Sequence, residues 1–170
     1  MADADFSEQD TIFMDQVLEE ARLAFFHGGA AVAALLALPE KVVAVARNEI
    51  QETGDLTSHA EMVLLRKTGR QLIEMDEQTR HRLSLYVTLE PCLMCAAALS
   101  FVGIKRIVYA ALAEDANIEQ MIARDLTLPE INPRLVRGPF TLVAGVRRAE
   151  GRVLLRAMNK ASGNSGDLKK

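Results

Sequence analysis

The sequence predicts an α/β protein, on three observations. Short β-branched or continuously apolar runs alternate along the chain with segments of helical period. The composition is that of a packed chain, with 49% apolar and 25% charged residues. The length of 170 residues suits one domain with a full core that needs no disulfide. We expect that domain over residues 1–160, followed by a flexible tail at 161–170 rich in Gly, Ser and Asn.

The elements follow in order. Ser7 with Glu8, Gln9 and Asp10 reads as a helix start, a hydroxyl cap followed by acids in the first turn. Ile12, Phe13, Val17, Leu18, Ala21 and Phe25 continue at helical spacing, and Gly28-Gly29 ends the helix. Ala30 to Leu38 and Lys41 to Ala46 read as two strands around Pro39-Glu40, both buried on two faces. Asn48 to Leu56 is polar and contains Gly54-Asp55, so it reads as a loop. Thr57 or Ser58 then caps a helix through His59, Glu61 and Leu65 that ends near Gly69. Gln71 to Leu83 reads as a short irregular helix, and Leu85 to Leu89 as a strand. Pro91 suits the first position of the next helix, which Gly103 ends. Ile107 to Ala110 is a strand and Glu114 to Arg124 a helix. Three prolines between Pro129 and Pro139 mark a loop, Phe140 to Ala144 the last strand, and Arg147 to Met158 a basic helix.

Composition narrows the function classes. The formal charge of -3 is less basic than expected of a chain whose main task is gripping phosphate backbone. Two cysteines three positions apart do not make a secreted disulfide framework. The acidic N-terminus has no basic leader region, and the apolar run from Ala30 to Leu38 is too short to span a bilayer. The expectation is a cytoplasmic protein with no membrane role.

Two stretches carry the chemistry: His59-Ala60-Glu61 and Pro91-Cys92-Leu93-Met94-Cys95. His59, Cys92 and Cys95 are three ligands of the kind zinc prefers, and a fourth close by is missing. Three protein ligands leave one position for water, which points to catalysis over a structural site. A zinc ion so held lowers the pKa of its water to about 7. Glu61, two residues from a ligand, can take that water's proton and pass it on as general acid and base. Each part has an ordinary reading: Cys92 and Cys95 as a redox pair, His59 as a plain helix residue, Glu61 as a solvated one. The joint pattern at two helix starts outweighs them, since H-x-E followed by P-C-x-x-C marks the zinc deaminases.

The wider stretches agree. Asn48, then Asp55-Leu56-Thr57-Ser58-His59-Ala60-Glu61, then Tyr86-Val87-Thr88-Leu89-Glu90-Pro91-Cys92-Leu93-Met94-Cys95 resembles the cytidine deaminase superfamily. The branch it resembles holds tRNA adenosine deaminases, guanine deaminases and fungal-type cytosine deaminases. The similarity spans about Ala30 to Leu112. It implies a three-layer α/β/α fold around a five-stranded mixed sheet, bound Zn2+, and a homodimer or larger oligomer. It also implies substrate contacts from Asn48 and from the backbone N–H of Ala60, with Val32 walling the base pocket.

Departures from the family pattern set the expected substrate. Leu56 and Ser58 stand in the usual Asp-Pro-Thr-Ala, and Ala31-Val32-Ala33-Ala34 replaces the usual Pro-x-Gly-Ala. Beyond Ala110, tRNA-editing members carry basic motifs where this chain has Leu112-Ala113-Glu114-Asp115. The expectation is therefore a free aminated base or nucleoside of guanine or cytosine type, released as a carbonyl compound and ammonia. The alternatives are tRNA adenosine deamination and a non-catalytic zinc-stabilised partner subunit. The first would use Arg134, Arg137, Arg147, Arg148, Arg152 and Arg156 as a backbone-binding stripe. Against the second, a merely structural site needs no proton shuttle at Glu61.

Overall fold

The structure is a computed structural model that describes residues 6–117, 123, 126–161 and 163. Five strands form one sheet in the order β2-β1-β3-β4-β5. They are β1 (Ala33–Leu38), β2 (Lys41–Arg47), β3 (Ser84–Leu89), β4 (Arg106–Ala111) and β5 (Thr141–Ala144). β1 is antiparallel to both β2 and β3, whereas β3, β4 and β5 are parallel. The sheet is therefore mixed, as the resemblance implied.

Side chains alternate across the pleat, so each strand feeds two cores. On one face Ala34, Leu36, Leu85, Val87, Ile107 and Tyr109 pack against α3 (Ala60–Glu74) and α5 (Leu93–Val102). On the other, Ala33, Leu35, Tyr86, Val108 and Val143 pack against α1 (Glu8–Phe26) and α7 (Arg148–Ala161). Gly151 lets α7 lie close to β4: a Cβ there would come within 3.1 Å of Ala111 N. Leu64 and Leu99 are fully buried on the α3–α5 side, where truncation to alanine costs about 2–5 kcal/mol.

The α1 start is as read: the Ser7 hydroxyl accepts the Asp10 N–H, and Asp10 returns a bond to the Ser7 N–H. Ile12 faces solvent, and the buried stripe instead runs through Asp10, Phe13, Met14, Val17, Leu18 and Ala21. β1 is buried throughout, but β2 is the sheet's edge and only half-buried, which corrects the two-face expectation. The 48–56 loop holds one helical turn, α2 (Ile50–Thr53), ended by Gly54 at φ 67°. α3 runs through Gly69 to Glu74, because Leu72, four positions after Thr68, extends its buried stripe beyond the glycine.

A short helix α4 (Glu77–His81) follows, capped by Asp76. Pro129 opens a helical turn, α6 (Leu128–Ile131), inside the expected loop. Of the helix expected over 114–124, the described part is a 3-10 turn at Ala113–Asp115, and 118–122 and 124 lie outside the described residues. The expected tail at 161–170 lies outside them as well, apart from Ala161 and Gly163.

Candidate active site

α3 and α5 start side by side on one face of the sheet, and each is capped by a residue that does not cap with its side chain. His59 is the N-cap of α3 and Cys92 the N-cap of α5. The sequence placed the caps at Thr57 or Ser58 and gave Pro91 the first helical position. Both boundaries move because these two candidate ligands take the cap's extended backbone, φ -61° and ψ 154° at His59, φ -69° and ψ 170° at Cys92. Their side chains turn toward each other instead of back over their own helices.

The geometry fits zinc. His59 Nδ1 is 3.7 Å from Sγ of both Cys92 and Cys95, and the three donor atoms lie within 4.8 Å of one another. With Zn–S about 2.3 Å and Zn–N about 2.0–2.1 Å, tetrahedral coordination puts N and S roughly 3.6 Å apart. Among the described residues this is the one His, Cys, Asp and Glu cluster able to hold a metal ion. The helix starts add a positive field that favours thiolates. The Cys95 thiol shares its proton with Cys92, pulling Cys92 down to about 4 and pushing Cys95 up. The bond to Cys92 raises His59.

Glu61 lies in the first turn of α3 and is 4% exposed. Burial pushes its carboxyl up to about 7. Ala60, fully buried, is the first helical residue of α3, where a backbone N–H has no partner within the helix. Asn48 follows β2 and Val32 precedes β1, and the Asn48 N–H donates to Val32 C=O at 3.0 Å. Asn48 Oδ1 accepts the Ile50 N–H at 3.1 Å. That leaves the amide's two N–H donors and one oxygen lone pair for other partners.

Two features escaped the sequence reading. Glu90 bonds the Ala113 N–H at 3.0 Å and the Leu128 N–H at 2.7 Å, tying two distant segments beside Cys92. Leu89, Glu90, Cys92, Ala113, Leu126 and Thr127 line a cavity there. Ser58 and Arg66 join the turn before His59. Glu90 sits inside the quoted motif, but nothing in a sequence names its partners.

Residues 7–111 match the family model of the cytidine and deoxycytidylate deaminase zinc-binding region. The chain belongs to this zinc-dependent deaminase family. The tRNA-specific adenosine deaminase of Agrobacterium fabrum is 41% identical over 101 residues, 59% of this chain and 64% of that protein. The chain therefore spans just under two thirds of this relative's length. The tRNA-specific adenosine deaminase of Aquifex aeolicus is 32% identical over 123 residues, 72% of this chain and 80% of that protein. A solved structure from work on A-to-I editing by tRNA:A34 deaminases superposes with a TM-score of 0.68 at 31% identity, covering 85% of this chain and 99% of the other. The guanine deaminase from Nitrosomonas europaea, at 23% identity and a TM-score of 0.72 over 88% of this chain and 84% of that one, shares the fold.

These relatives overturn the expected free base or nucleoside, and with it the low rank given to RNA. Net charge averages over the whole surface, while phosphate contacts need cations only near the site. The Glu114-Asp115 stretch, read as unlike an RNA editor, serves packing. Asp115 bonds Arg148 at 2.7 Å and pairs with Arg152 at 3.1 Å, fastening α7 to the end of β4. Four members of the expected arginine stripe, Arg137, Arg147, Arg148 and Arg152, also have partners within the chain. Arg147 pairs with Asp15 at 2.8 Å, Arg137 lies over the Phe101 ring at 4.4 Å, and α7 packs on the sheet face opposite α3 and α5. No helix among the described residues is long and apolar enough to cross a membrane.

Proposed function

We propose that the protein is a tRNA-specific adenosine deaminase, converting adenosine to inosine with release of ammonia. The observation that carries this reading is the 41% identity over 101 residues to the tRNA-specific adenosine deaminase of Agrobacterium fabrum.

In this reading His59, Cys92 and Cys95 hold the metal, which supplies Lewis-acid activation of a water. Glu61 would take a proton from the water and give it to N1 of the adenine ring. It would pass the water's second proton to the exocyclic amine, so that the exocyclic C6–N bond breaks and ammonia leaves as the C6 carbonyl forms. Burial favours this shuttle, because a carboxyl raised toward neutral pH is balanced between taking and giving a proton. The Ala60 N–H and the Asn48 amide hold the base edge, and Val32 walls the pocket. The reading includes the homodimer that the resemblance implies and the cytoplasmic location expected from the sequence.

The test is deamination of an anticodon stem-loop against free bases and nucleosides, at low and moderate salt. We expect inosine in the stem-loop, with kcat/KM falling as salt rises, since phosphate contacts release counterions. An inert stem-loop beside an efficiently deaminated free base would overturn the reading.

A further inference from the structure

The turn that delivers His59 is built unusually for its sequence. Ser58 N–H donates to Asp55 C=O at 2.9 Å, so Asp55, Leu56, Thr57 and Ser58 form a β-turn. Leu56 stands at its second position and is 80% exposed, so its side chain anchors nothing. A proline's fixed φ suits that position, with Asp at the first. Here polar bonds do the holding. Asp55 Oδ1 accepts the Thr57 N–H at 2.8 Å and its hydroxyl at 2.7 Å. The Ser58 hydroxyl, on a residue 2% exposed, lies 3.1 Å from Thr53 Oγ1, 3.3 Å from Asp55 Oδ2 and 3.2 Å from Arg66 Nη1. Arg66 Nη2 reaches Thr57 Oγ1 at 2.9 Å and Asp55 Oδ2 at 3.2 Å. One guanidinium on α3 thus folds back over the turn that precedes its own helix.

The same turn touches the other side of the site. Ser58 C=O accepts the N–H of Glu49, the residue after Asn48, at 3.0 Å. Lys67 Nζ, next to Arg66 on α3, is 3.4 Å from Glu49 Oε1. The residue before the histidine and the residue after the asparagine are therefore bonded directly. His59 gains no constraint from its own cap, where its side chain makes no bond.

We propose that Ser58 and Arg66 are positioning residues: they latch the 55–58 turn, so that His59 meets both cysteines and Asn48 keeps its place across the site. Leu56 leaves the turn free where a proline would stiffen it, and the latch supplies the missing constraint. The inference rests on His59 being a metal ligand.

The experiment follows zinc release from the loaded full chain to a chromogenic chelator, with elemental analysis and melting temperature measured alongside. Zinc release does not depend on RNA, so a lost phosphate contact by Arg66 would leave it unmoved. Arg66→Ala and Ser58→Ala should begin with zinc bound and release it about three- to tenfold faster, short of the ~10–100-fold affinity loss typical of direct ligand partners. Arg66→Lys should recover only part, because an ammonium cannot bridge three oxygens with a planar fork. Leu56→Pro added to Arg66→Ala should restore slow release, its fixed φ replacing the latch. Unchanged release in Arg66→Ala overturns the proposal, as does faster release that Leu56→Pro leaves uncorrected. His59→Ala run beside them separates the two readings. Full zinc retention there removes the ligand assignment and this inference with it. Lost zinc there, with unchanged release in Arg66→Ala, removes the latch alone.

Discussion

His59 and Cys92 are the N-caps of neighbouring helices, and Nδ1 of one lies 3.7 Å from Sγ of the other. They are 33 positions apart in sequence, so their meeting depends on α3 and α5 sharing one face of the sheet. That relationship sets the first expected outcome. Cys92→Ala leaves two donors of the three, too few for a tight zinc site. Elemental analysis of the purified variant should show most of the metal gone. Full retention would mean the ligands are misassigned.

Glu61→Gln should keep the zinc and the fold and lose turnover by at least ~10²-fold, the low end for a positioned acid–base group. The amide fills the same buried space but cannot take the water's proton. Near-normal single-turnover inosine formation would end the proton-shuttle role.

Asn48→Ala should lower kcat/KM on the stem-loop with the zinc content unchanged. Its Oδ1 is engaged by the Ile50 N–H, so in the proposed reading a base edge would be met mainly by the N–H donors. Asn48→Asp keeps the acceptor and loses those donors, and it should be as impaired as the alanine variant. An active Asn48→Asp would assign the contact to the oxygen.

Stability at low pH should hinge on Asp10. The residue is 1% exposed, and it meets Arg106 through two bonds of 2.8 Å and the Tyr86 hydroxyl at 2.9 Å. Burial works to raise its pKa, but the bonds from Arg106, Ser7 and Tyr86 outweigh it and hold the carboxyl at about 2, below the ordinary 3.8. The folded state therefore binds this proton less readily than the unfolded chain. The stabilisation is complete above about pH 4 and is lost as pH falls toward 2, with a size of about 2 kcal/mol. Asp10→Asn should lower stability by about that amount at pH 7, and its gap to the wild type should close between pH 4 and pH 2 in urea melts. A constant gap across that range would remove the linkage.

What the sequence determined by itself is local. The Ser7 cap, the five strand segments and the residue content of H-x-E and of P-C-x-x-C, each taken alone, depend on neighbours within a few residues, and periodicity and spacing record such neighbours. His59, Cys92 and Cys95 were legible as candidate zinc ligands because residue type carries zinc chemistry before any fold is known, and the structure places the three donor atoms within 4.8 Å of one another. What only the tertiary structure decided is which distant groups meet. Asp10 read as an acid in a first turn, yet it is buried because Arg106, 96 positions on, comes to it across the sheet. Asp115 read as a departure from an RNA-binding motif, and packing of α7 against β4 turned it into an ion-pair partner for Arg148. β2 looked as apolar as β1, and only strand order made one the edge and the other an interior strand. The free energy of a buried charge or an edge strand belongs to contacts between residues far apart in the chain, which no single stretch of sequence contains.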